Sequence, residues 1–298
     1  MAGETALVAA EAGLLEVSRI INECLDTAVA PGTLEIYRRV RRDFLAFANK
    51  FRVPFTAIHK LRNVFLAHLI NEGRTRTLGY HLAALSHFFG PLPSEDEDIQ
   101  RALLRTGNRS GPAVRHRSKA VQEDVDKIVD WALQTNTAAA IKGAGMIMIA
   151  FLGFLRVSEL VQLRFANVSH KGGDLWWLTI RRSKTDQEGK GSVVAFKMGN
   201  MEENLWRALH RLRSPFSPED YLFSCRSGKP PSRDYASRLI KKTCMEAGLG
   251  SRNLTPHSFR GGAATTAIRR GVDPANVMRV GRWKSVKSFQ SYIDPTPL

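Results

Sequence analysis

Arg156, Lys184, His257, Arg260, Trp283 and Tyr292 are the residues of this chain best equipped for chemistry, and four of them crowd its last stretch. Two arginines, a histidine, an indole, a lysine and a near-terminal tyrosine suit phosphoryl transfer without a metal. The tyrosine hydroxyl would be the nucleophile. With a pKa of about 10 it needs a proton acceptor or a cationic surrounding. The guanidinium groups stay charged and present a fork of donors to the oxygens of a phosphate. Losing one such interaction with a transition state costs about a hundredfold to a thousandfold. Histidine and lysine would move protons. This combination points to cleavage and rejoining of DNA strands. The eight histidines show no pairing with Cys, Asp or Glu at metal-ligand spacing, and no metal or other cofactor is expected.

The elements that must position these residues read as mostly helical. Residues 33–50 place Leu34, Tyr37, Val40, Phe44, Leu45 and Phe47 on one face, with Thr33 as the expected N-cap. Arg38, Arg41 and Arg42 fall on the other side, where a solvated face and a DNA-contacting face would look alike. Further helices are expected near 59–72 and 76–90, the second opening at Arg76, and an acidic helix start follows at Ser94. Residues 106–118, TGNRSGPAVRHRS, break the pattern and read as a basic linker carrying Arg115 and Arg117. Beyond it, helices near 121–135 and in GAGMIMIAFLGFL lead into Arg156. WWLTI (176–180) and SVVAF (192–196) read as two strands joined by a polar turn that holds Arg182 and Lys184. Helices near 201–213, 232–247, 256–270, 273–281 and 285–292 complete the chain. His257 and Arg260 are then neighbours on one helix that begins at Pro256.

Charge agrees with a polyanionic partner. The net charge of the 298 residues is +16, and clustered Lys and Arg displace condensed counterions from a phosphate backbone. Its distribution is uneven: residues 1–36 carry a net −5, residues 37–115 a net +8 and the remainder a net +13. An acidic leader thus precedes two basic regions. Cys24, Cys225 and Cys244 share no ligand spacing and read as reduced thiols. No apolar run is long enough to span a membrane. The expected setting is intracellular and DNA-associated, nucleus or bacterial cytoplasm.

At the level of whole motifs the chain resembles the tyrosine recombinases of the phage-integrase family. FLGFLRVSELVQLRFANV is similar to the family's first arginine box, with Arg156 followed by Glu159. WWLTIRRSKTD resembles the hairpin that carries its active lysine, HSFRGGAA its His-x-x-Arg box, and GRWKSVKSFQSYI its closing segment. The resemblance covers nearly the whole chain. It implies a mostly α fold: an acidic leader (1–32), a helical, SAM-like core-binding domain that grips DNA (33–112), and a mainly helical catalytic domain with a small antiparallel sheet (113–298). It also implies that Tyr292 forms a 3′-phosphotyrosyl bond, that Arg156 and Arg260 bind the phosphate, that His257 accepts the tyrosine proton and that Lys184 protonates the leaving 5′-oxygen. Trp283 takes a place often held by histidine, and Glu159 orients Arg156 or nearby backbone. Tyr37, Tyr80, Tyr221 and Tyr235 are the competing nucleophiles, in core or rim settings. Double-stranded DNA is the implied partner, gripped by Arg38, Arg41, Arg42, Arg76, Arg115, Arg117 and Arg182, with a tetramer assembled on it. Only six residues follow Tyr292, which leaves little chain for exchange between protomers. A type IB-like topoisomerase and a catalytically silent DNA-binding protein are the alternative readings.

Overall fold

Hydrophobic spacing and proline placement set the first helices. The structure, a computed structural model, describes residues 8–52, 58–111, 118–181, 191–225 and 227–294. Helix α1 (Leu15–Thr27) is followed by α2 (Pro31–Lys50). Thr33 does not cap α2. Ala30 is the N-cap and Pro31 the first helical residue, where a fixed φ and a missing N–H cost nothing. Leu34, Val40, Phe44 and Phe47 are buried along one face, whereas Arg38, Arg41 and Arg42 are exposed. Helices α3 (Ile58–Asn71), α4 (Leu78–Phe89) and α5 (Ser94–Ser110) close this core, with a short 3₁₀ turn at Thr75–Thr77 that leaves Arg76 exposed. Phe44, Phe65, Leu66, Leu69 and Leu85 form its centre.

Helix α5 runs through residues 106–110, which the sequence pattern assigns to a linker. Gly107 explains the difference. A Cβ there would lie 2.4 Å from the Leu78 side chain, so the glycine is a point of close packing and not a helix stop.

The chain divides into two compact units, Met1–Val114 and Arg115–Leu298. The second is built around α7 (Ala138–Leu152), which follows α6 (Gln122–Thr135) and is buried on nearly every side from Ala140 to Phe151. Thr137 starts it by accepting a hydrogen bond from the Ala140 N–H at 3.3 Å. A short α8 (Val157–Leu160) precedes a three-stranded antiparallel sheet, β1 (Val168–Gly172), β2 (Leu175–Ile180) and β3 (Ser192–Lys197), in that spatial order. Trp176, Leu178 and Ile180 alternate inward and meet Val194 and Phe196 of the next strand. Strand β1 escapes a reading by hydrophobicity, because VSHKG buries only Val168. Helices α9 (Asn200–Arg213), α10 (Arg233–Cys244), α11 (Pro256–Arg269), α12 (Pro274–Gly281) and α13 (Val286–Gln290) complete the unit. Helix α13 ends before Tyr292, where the pattern expects it to continue. The mostly helical class with one small sheet is as the sequence implies. Among the described residues no helix is long and apolar enough to cross a membrane.

Candidate active site

Three short segments far apart in sequence bring the chemistry together: the turn before α8, the first turn of α11 and the stretch from the end of α12 to Tyr292. Arg156 is the N-cap of α8, and Glu159 reaches back to it. The Glu159 carboxylate accepts the Arg156 backbone N–H on Oε2 at 2.9 Å and the Arg156 guanidinium on Oε1 at 2.8 Å. Its side chain is 1% exposed.

Pro256 starts α11, and Ser258 Oγ accepts the Thr255 N–H at 3.1 Å. The first turn aims His257 outward, while Arg260 is fully buried. The Arg260 guanidinium donates to the carbonyls of Phe154 and Gly281, stacks 4.2 Å from the Trp283 ring centroid and lies 5.7 Å from that of Tyr292. It stands 3.9 Å from Glu159. Burial, reinforced by Arg156, pushes its pKa down to about 9 while Glu159 holds it up. The group remains a cation at neutral pH.

The close packing of α11 depends on Gly261 and Gly262. A Cβ on Gly262 would lie 1.9 Å from the Ala120 carbonyl oxygen, and one on Gly261 would lie 2.8 Å from Lys119 Cδ and 3.1 Å from the Tyr292 carbonyl. These two positions let the chain at 119–120 and the Tyr292 segment press on the helix that carries His257 and Arg260. Ala120 donates its N–H to the Ser258 carbonyl at 3.1 Å.

The Tyr292 hydroxyl lies 3.0 Å from His257 Nδ1. Its ring packs edge-on against Trp283 at 5.3 Å between centroids. Trp283 is buried and also touches Phe289 edge-on, and its Nε1–H has no hydrogen-bond partner among the described residues. Tyr292 thus has the His257 imidazole at its hydroxyl and the Arg260 guanidinium against its ring.

Two participants have no signature in the sequence. Arg282 bonds to Glu159 Oε2 at 2.9 Å, to the Phe154 carbonyl at 2.9 Å and to the Val280 carbonyl at 2.9 Å. Lys119 donates to the Ser291 carbonyl at 3.4 Å and sits over the Tyr292 ring. Neither falls at a helical or strand spacing from a known partner, so nothing short of the fold reveals them. Glu159 therefore faces three guanidinium groups. Burial alone would raise its pKa, yet Arg282, the Arg156 N–H, Arg260 and Arg156 together hold it below the usual carboxylate range. Three cations against one carboxylate leave a surplus of positive charge beside a tyrosine hydroxyl.

The structure gathers Arg156, Glu159, His257, Arg260, Trp283 and Tyr292. Lys184, Arg182, Arg115 and Arg117 lie outside the described residues. Arg38, Arg41, Arg42 and Arg76 belong to the first unit and are exposed. Of the competing tyrosines, Tyr221 packs on Arg164, Tyr235 on Lys142, Tyr37 against His87 and Tyr80 on His81. Among the described residues there is no group of three or more His, Cys, Asp or Glu placed to hold a metal ion.

The sequence profile of the phage integrase family matches residues 120–297. A tyrosine recombinase XerD of Listeria innocua is 24% identical over 288 residues, covering 92% of this chain and 91% of that one. Among solved structures, the XerH site-specific recombinase bound to a palindromic difH substrate, a post-cleavage complex, is similar with a TM-score of 0.62 at 17% identity, over 94% of this chain and 80% of that one. A lambda integrase tetramer bound to a Holliday junction is similar with a TM-score of 0.56 at 16% identity, over 89% of this chain and 72% of that one.

Proposed function

The chain belongs to the phage integrase family, and from that premise we propose that it is a site-specific DNA recombinase that cuts and rejoins strands through a tyrosine–phosphate bond. The observation that carries this reading is the Tyr292 hydroxyl 3.0 Å from His257, beside a guanidinium cluster with surplus positive charge.

The steps follow from the groups present. The Tyr292 oxygen attacks the phosphorus of a phosphodiester, and its proton passes to His257. The bond from phosphorus to the 5′-oxygen breaks, leaving a 3′-phosphotyrosyl linkage. Lys184, from the segment between β2 and β3, protonates the departing oxygen. Arg156, whose side chain is 16% exposed, is the arginine best able to reach a phosphate from outside. Arg260 supplies charge from below the ring. Two of its five N–H groups serve carbonyls, which leaves donors for a phosphate once the Tyr292 ring moves off it. The Trp283 N–H is a further donor. Arginines neutralise the developing charge, so the reaction proceeds without a metal. The tyrosine ester stores the energy of the broken bond, so rejoining proceeds without ATP. Reversal of the same steps onto a different 5′-hydroxyl is recombination.

Residues 33–112 would supply the DNA-binding domain and residues 113–298 the catalytic one, with Arg38, Arg41, Arg42, Arg76, Arg115, Arg117 and Arg182 on phosphates. Two duplexes must be brought together, so a tetramer on DNA, as in the lambda integrase complex, is the proposed working form. Its place is with the DNA inside the cell.

The test uses nicked duplexes drawn from a random-sequence pool. Their short flap diffuses away after cleavage and traps the covalent product, which resists SDS. Wild-type protein is expected to give an adduct that EDTA leaves unchanged. Tyr292→Phe keeps the ring but removes the attacking oxygen, and should bind DNA within about threefold of wild type with no adduct. An undiminished adduct in Tyr292→Phe would transfer the role to another tyrosine.

A further inference from the structure

Among the described residues, Arg282 and Phe154, both at this site, adopt a left-handed backbone though neither is glycine, at φ 60° and φ 52°. Side chains on L-residues disfavour that region, and its use persists only where surrounding contacts enforce it. Here the two face one another. Arg282, at the C-cap of α12, donates from Nη2 to the Phe154 carbonyl at 2.9 Å and to the Gly153 carbonyl at 3.4 Å. The same nitrogen reaches Glu159 Oε2 at 2.9 Å, while Nη1 holds Val280 of its own helix.

We infer that Arg282 is a positioning residue for strand transfer: it pins Glu159 and the Phe154 carbonyl so that the turn bearing Arg156 and the segment bearing Trp283 and Tyr292 stay in one register. The inference rests on the recombinase reading above.

The geometry carries it through the two carboxylate oxygens. Oε1 is taken by the Arg156 guanidinium and Oε2 by the Arg156 N–H and Arg282. Both oxygens are therefore committed, and Arg156 is held at a fixed angle with its side chain at the solvent edge. Arg282 itself is 8% exposed and does not face solvent, so it acts through Glu159 and not on a phosphate. Without it, the nearest remaining cation to Oε2 from another segment is Arg260 at 3.9 Å. Removing one partner of a buried ion pair leaves its charge uncompensated, and in this reading Oε2 would then turn toward Arg260. That turn would pull on Oε1 and release Arg156. The Phe154 carbonyl, shared by Arg260 and Arg282, would lose one of its two donors at the same time.

Arg282 is also adjacent to Trp283, whose ring lies under the Arg260 guanidinium and packs edge-on against Tyr292. One residue thus bonds the arginine turn while sitting in the backbone of the nucleophile segment. A glycine at 282 would satisfy the backbone without strain and abolish every one of these contacts.

The experiment compares Arg282→Gly, Arg282→Lys, Glu159→Gln and the Arg282→Gly/Glu159→Gln double variant with wild type. Each is assayed on a nicked duplex that yields wild-type adduct, at a temperature well below its own midpoint of unfolding. DNA affinity and the single-turnover rate of adduct formation are measured separately. Arg282→Gly is expected to bind DNA within threefold of wild type and to form adduct at least a hundredfold more slowly. Arg282→Lys restores the charge without the fork and should recover part of that loss. The double variant should be no slower than the slower single variant, because both changes sever the same link. A rate for Arg282→Gly within threefold of wild type would overturn the inference, as would losses that multiply in the double variant. If Arg282→Gly does not fold, Arg282→Lys decides: a wild-type rate in it, with the fork gone, also overturns the inference. Absence of adduct from wild-type protein on every duplex is the separate outcome that removes the recombinase reading and this role with it.

Discussion

His210 sits half-buried among Trp206, Phe165 and Phe216, with ring centroids 4.5 to 5.1 Å away, and its Nε2 has no partner among the described residues. Burial lowers its pKa below the ordinary 6.5, as it does for His81 in the first unit. The unfolded chain then binds more protons than the folded one in the window between the folded pKa and 6.5. Stability must rise with pH across that window and fall on acidification through it. Thermal melts from pH 7.5 to 5 are expected to show a declining midpoint, and His210→Phe should flatten the decline of the second unit while His81 maintains that of the first. The residues that the structure gathers at the candidate site were readable at this scale because their chemistry is rare: a near-terminal tyrosine, a His-x-x-Arg pair and an arginine with an acid three residues on have few other uses together. Arg282 and Lys119 were not readable. An arginine or lysine in a basic chain carries no mark of which carbonyl or carboxylate it will meet, and a left-handed backbone at a non-glycine residue is imposed by tertiary contacts.

Helices and strands were legible where one face was apolar. The inward alternation of β2 and the buried stripe of α2 follow from the hydrophobic period alone. Polar β1 and the last turns of α5 were not legible, because pairing with β2 and close packing of Gly107 on Leu78 decide them. The clearest prediction for an element concerns α11. Gly262→Ala would put a methyl group 1.9 Å from the Ala120 carbonyl, a backbone atom that has no rotamer to change. The helix must shift, and the expected cost is about 3 kcal/mol, the upper part of the range for overpacking. Urea unfolding of the second unit measures it. The same shift would carry His257 away from Tyr292, so adduct formation should fall by more than the folded fraction does.

For the whole molecule, the excess of positive charge is divided between two units with separate cores. If both units grip one duplex, the exposed arginines of α2 contribute to a steep dependence of affinity on salt. Replacing Arg38, Arg41 and Arg42 together by glutamine should reduce the slope of log K against log salt by about 2–3, close to one for each phosphate no longer neutralised. An unchanged slope in titrations from 50 to 300 mM salt (roughly the range over which such charge pairing is resolved) would make that face a solvated one. Within the second unit, one short stretch of chain braces the candidate site. In the second unit the two residues after Ser118 are clamped to the candidate site: Lys119 to the Ser291 carbonyl, Ala120 to Ser258 and, by bare contact, to Gly262. Residues 119 and 120 thus touch the Tyr292 segment and the helix of His257 directly. A displacement of residues 119–120 therefore reaches the Tyr292 segment and the helix of His257 together, so this short stretch is a strut shared by both.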